Sequence, residues 1–164
     1  MLLVITLSLI VFYDFAGKYL VALGLLVLGL VRFFHATIPA PSLAIPWHAI
    51  LLLVHVTLLS TVCYHLEGKR PRLTLKHWLV VAGGLCVVVG TVVTHLVYAR
   101  TGAPVREVLW ITPGLLPGAI AAGLFVIVAV TIRLRAVDER AAGRSMMLYG
   151  LLWLIVYDAA FVLG

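Results

Sequence analysis

Apolar residues run without alternation along almost the whole chain, interrupted at intervals by short polar stretches. Four of the runs, residues 19–38, 43–64, 77–98 and 115–132, are long enough to cross a bilayer, and two shorter ones, 1–13 and 145–164, lie at the chain ends. A hydrocarbon core of about 30 Å takes about 20 apolar residues of helix, and inside it only helices and closed barrels satisfy their own backbone polar groups. The runs lack the period-two pattern of a barrel strand. They therefore predict an all-α integral membrane protein, a six-helix bundle with four full spans and two shorter terminal helices.

Composition narrows this further. Hydrophobic residues make up 64% of the 164 positions and charged ones 11%, with a mean hydropathy of +1.20. No soluble class fits these values. The polar stretches are too short to fold alone, so residues 1–164 read as a single transmembrane helical domain whose core is helix packed on helix.

Charge turns the helix order into a topology. The first loop holds Lys18, the third holds Lys69, Arg70, Arg72 and Lys76, and the fifth holds Arg133, Arg135, Arg140 and Arg144. The second loop has no basic residue and the fourth has Arg100 and Arg106, so the two faces carry nine against two. The positive-inside rule then expects loops one, three and five in the cytoplasm and both ends outside, in a membrane of the bacterial inner (cytoplasmic) type. The net charge of +6 is accounted for by orientation and lipid contact. A nucleic-acid surface would need a basic face on a soluble fold, and no such partner is expected.

The first run has the length of a signal-peptide core but lacks the basic residues before it and the small-residue cleavage site after it. It is expected either to begin below the membrane surface or to belong to a longer segment. Cys63 and Cys86 lie in different helices without a CxxC partner and read as small apolar residues. Gly24, Gly29, Gly83, Gly84, Gly90, Gly118 and Gly123 suggest close helix contacts, with Gly114 and Gly118 forming a small-xxx-small pair. Pro39, Pro41 and Pro46 stiffen the second loop, Pro71 the third, and Pro104, Pro113 and Pro117 mark a kinked start to helix five.

Ionisable groups at membrane depth are costly and demand a reason. His48 and His55 share a face of helix three, about 10 Å apart along its axis. Either could ligate haem or chlorophyll or touch a quinone-like ring; the alternative is a neutral imidazole bonded to a neighbouring helix. His35 and His95 fit a solvated outer interface, and Arg32 can snorkel outward. Asp158 either faces the outer interface or pairs inside the bundle.

Two constellations fall on the basic side. One is Tyr13-Asp14-Phe15-Ala16-Gly17-Lys18; the other runs from Thr61 through Tyr64, His65 and Glu67 to Lys69 and Arg70. Facing each other, they would hold an anionic headgroup, with Lys18, Lys69 and Arg70 as the donors. Lysine and arginine after an apolar run are also what an ordinary cytoplasmic helix end shows.

Tyr13 and Lys18, followed by Leu23-Gly24 and Gly29-Leu30-Val31-Arg32, together with Tyr64 to Arg70, Gly150-Leu151-Leu152 and Tyr157-Asp158-Ala159-Ala160, resemble the UbiA superfamily of membrane prenyltransferases, and most of all its EboC-like branch. The resemblance implies that the six helices correspond to helices four to nine of a UbiA-type fold, with loops one, three and five on the catalytic face. It also implies two carboxylate clusters holding magnesium on an isoprenoid diphosphate. This chain has no counterpart of the first three helices or of the first Asp-rich motif, and at the second only Glu67 carries a carboxylate, beside His65. Hard magnesium needs several oxygen ligands, so no catalytic residue and no metal site is expected.

Three readings follow. The first is a non-catalytic UbiA-like subunit of a larger membrane complex, with a structural, lipid-binding, isoprenoid-binding or pigment-tail-binding role. The second is half of a split prenyltransferase whose partner chain brings the first motif. The third is a haem- or chlorophyll-binding subunit using His48 or His55. The implied partners are the lipid bilayer and other membrane subunits, and the implied small molecules are an isoprenoid lipid, a quinone or a pigment.

Overall fold

The computed structural model describes residues 1–17, 19–39, 47–101 and 115–163. Uninterrupted apolar sequence has no reason to leave the helix until a polar or glycine-bearing stretch lets its backbone meet water, and the boundaries fall there. Helix α1 (Leu2–Phe12) continues into a π-helical turn at Tyr13–Gly17. It is followed by α2 (Val21–Thr37), α3 (Trp47–Leu66), α4 (Leu75–Thr101), α5 (Leu115–Arg135) and α6 (Glu139–Leu163).

Local chemistry sets the ends. At the close of α3, Gly68 takes φ +62°, a left-handed conformation that costs glycine little and releases the chain from the helix. Thr74 and His77 cap α4, with the Thr74 N–H donating to His77 Nδ1 at 3.1 Å. Asp138 caps α6 through a 2.6 Å bond from the Ala141 N–H to its Oδ1, and Glu139 in the first turn suits the positive end of the helix dipole. Pro117 sits in the first turn of α5, where its missing N–H would have had no partner. Pro104, Pro113 and Gly114 lie outside the described residues, as do Pro41 and Pro46.

Among the described residues, four helices are long and apolar enough to cross a membrane, but they are not the four expected. They are α3, α4, α5 and α6. Residues 19–38, read as a full span, yield only the 17-residue α2 because Tyr19 and Leu20 form a turn before it. The run 145–164, read as a partial span, falls up to Leu163 within the 25-residue α6, because the Asp138 cap carries that helix back through Glu139, Arg140 and Arg144. An apolar count stops at those charges; the backbone does not.

Helix α3 is the hub. It packs against α2 on one side and α6 on the other, while α5 packs on α6, and α1 and α4 on α2. It buries 67% of its span, against 6% for α4, so α3 is the helix whose side chains the bundle can position. Glycines allow the closest approaches. A Cβ at Gly29 of α2 would lie on Thr57 Oγ1 and 2.8 Å from the Leu53 carbonyl oxygen, and one at Gly150 of α6 would strike the Leu59 side chain.

Val21, Ala22 and Leu25 of α2 cluster with Val81 of α4, Tyr64 and Leu73. Glu67 in the third loop lies against Gly143 near the start of α6. The first, third and fifth loops therefore share one end of the bundle, which gathers Lys69, Arg70, Arg72, Lys76, Arg133, Arg135, Arg140 and Arg144.

Candidate functional site

An imidazole on an apolar helix must find partners, and His55 finds two on α6. Its Nε2 lies 3.0 Å from the Gly150 carbonyl oxygen and its Nδ1 3.1 Å from the Tyr157 hydroxyl. A carbonyl can only accept, so Nε2 carries the proton; Nδ1 then accepts from the Tyr157 O–H. The ring is a neutral imidazole with both nitrogens engaged, set edge-on to Phe125 at 4.5 Å and to Tyr157 at 5.0 Å between centroids. Ligation of iron or magnesium by His55 would require one of these bonds to break.

His55 and Tyr157 form the inner wall of a cavity of about 510 Å³ between α3, α5 and α6. Small side chains at Ala122 and Ala129 of α5 leave the space, and Val126 and Val130 rim it. A second cavity of about 360 Å³, bounded by Trp47, Gly118 and Phe161, continues it by sharing Leu51 and Val54. Together they make a long apolar groove open at its side. Arg133 stands at its basic end, its guanidinium donating to Glu139 Oε1 at 2.7 Å. The volume lies within the roughly 300–1,000 Å³ common for small-molecule sites.

Of the expected headgroup donors, Lys69 and His65 line a separate pocket of about 270 Å³ with Tyr64, Arg72 and Glu139. Tyr13, Asp14 and Arg70 are absent from that lining, and Lys18 lies outside the described residues. Tyr13 packs instead on Gly17 and Gly24, within the joint between α1 and α2. Glu67 is held by the Lys69 ammonium at 2.7 Å. Among the described residues, no three His, Cys, Asp or Glu side chains converge as metal ligands.

At the far end of α3, His48 Nε2 meets Asp158 Oδ1 at 2.7 Å, and the His48 ring lies 5.0 Å from that of Phe161. Asp158 thus pairs across the bundle while remaining exposed. Sequence reasoning had no hold on the groove, on Arg133 as its charged end, or on Tyr157 as the partner of His55. The small residues recurring at Gly118, Ala122 and Ala129 were the available signal.

No protein family, curated protein or solved structure matches this chain.

Proposed function

We propose that this chain is a non-catalytic polytopic membrane subunit that holds the apolar tail of a lipid, isoprenoid or pigment in the groove between α3, α5 and α6. The groove carries this reading, because its walls offer hydrocarbon along their length, and in the main cavity the polar side chains among the described residues are His55 and Tyr157, which bond each other, and Arg133 at the end. Such a surface gains from contact with an extended chain and has little to offer a polar substrate.

The engagement of the carboxylates favours binding over prenyl transfer. Glu67 pairs with Lys69, Glu139 with Arg133 and Asp158 with His48, while Asp138 caps α6. Diphosphate departure assisted by magnesium would need several of these acids on one ion. The prenyltransferase likeness of the sequence enters this reading through the tail, not through the chemistry.

The test is mass spectrometry of the chain purified in mild detergent, beside Val126→Trp, which puts a large ring into the groove from its rim. A retained amphiphile that Val126→Trp loses supports the reading. Magnesium-dependent release of pyrophosphate by the isolated chain would overturn it.

A further inference from the structure

The charged end of the groove specifies its occupant more closely, on the premise that the groove holds a tail. Along α5 the lining residues run from Ala122 to Arg133 at helical spacing. Eleven positions of helix make about 17 Å, close to the ~15 Å depth of one leaflet, half of a ~30 Å hydrocarbon core. An acyl chain entering at Arg133 would reach the end of that leaflet where the first cavity ends.

Arg133 is suited to the other half of such a molecule. One of its five N–H donors is engaged by Glu139, and its side chain is 45% exposed, so the remaining edge of the fork is open to a second anion. The turn around it carries Arg135, Arg140 and Arg144 against Asp138 and Glu139, leaving an excess of positive charge where headgroup phosphates lie. We infer that the groove takes an anionic phospholipid from the surrounding bilayer, with one acyl chain along α5 and the headgroup phosphate on Arg133.

The full chain is purified in mild detergent with equal amounts of dioleoyl phosphatidylglycerol and dioleoyl phosphatidylcholine, and the retained lipid is read by native mass spectrometry. The expected result is a preference of roughly fivefold for the phosphatidylglycerol. Arg133→Gln should abolish the preference while leaving a chain bound, Arg133→Lys should keep most of it, and Val126→Trp should lose both lipids. Far-ultraviolet circular dichroism confirms that each variant remains helical.

Equal retention of the two lipids by the unsubstituted chain would overturn the headgroup assignment and leave the tail reading standing. So would a preference that survives Arg133→Gln. Retention of neither lipid, or co-purification of a polypeptide that Val126→Trp releases, would overturn both.

Discussion

Tyr157 and His55 lie 102 positions apart in the chain and meet through a 3.1 Å hydrogen bond near the midpoint of α3. With the bond to Gly150, it satisfies the imidazole from one neighbouring helix. Removing the phenol hydroxyl leaves Nδ1 buried without a donor. Tyr157→Phe should destabilise the bundle by about 1 kcal/mol, between the ~0.6 kcal/mol average and the ~1.7 kcal/mol maximum for interhelical bonds in bilayers. Unfolding by sodium dodecyl sulfate measures it, and an unchanged midpoint would show that the bond contributes nothing.

Gly29→Ala should cost about 1–3 kcal/mol, because its methyl meets the Thr57 hydroxyl and the Leu53 backbone carbonyl, and a backbone cannot turn aside as a side chain can. Gly83→Ala and Gly90→Ala on α4 meet open space and should be neutral or stabilising by up to about 1 kcal/mol. The opposite signs, read in the same titration, separate close helix approach from general glycine intolerance.

The glycines illustrate how far the sequence could be read. Gly24, Gly29, Gly83, Gly84 and Gly90 are alike in a string of letters, yet a methyl at Gly24 or Gly29 would meet backbone, one at Gly84 would meet Leu26, and one at Gly83 or Gly90 would enter open space. Helix and membrane follow from apolar run length, a local property, so those were legible. Span membership failed at α2 and α6 because a turn at Tyr19–Leu20 and a cap at Asp138 outweigh hydropathy there. His55 could be flagged as costly, but its partners depend on which helix neighbours α3, a long-range fact without local trace. Charge counting puts Tyr13 and Asp14 on the same side as Lys69, which is a coarser relation than sharing a pocket.

Single cysteines test the end-to-end arrangement. In a chain with Cys63→Ala and Cys86→Ala, Arg70→Cys in the third loop and Val137→Cys in the fifth should react with a membrane-impermeant maleimide from the same side of sealed vesicles, and Pro39→Cys from the other. Positive-inside placement expects the first pair on the cytoplasmic side. Labelling of Arg70→Cys and Val137→Cys from opposite sides would break the fold itself.

Glu67→Gln removes an ion pair with Lys69, whose side chain is half exposed. The Glu67 side chain is only 18% exposed, but water reaches the pair through Lys69 and the glutamine amide can still accept from its ammonium, so the loss of stability should stay near the ~1 kcal/mol upper end for solvent-screened pairs. Lipid retention should not change, since Glu67 is absent from the groove lining. A large loss of either would mean that the carboxylate has work beyond holding Lys69.

Residues 136–138 are the whole connection between α5 and α6, which pack along each other. So short a turn holds the end of α5 and the start of α6 at one surface of the bundle. Arg133, Arg135, Glu139, Arg140 and Arg144 are thereby offered to a single headgroup layer, and the opening turn of α6 carries its charge without burying it in hydrocarbon.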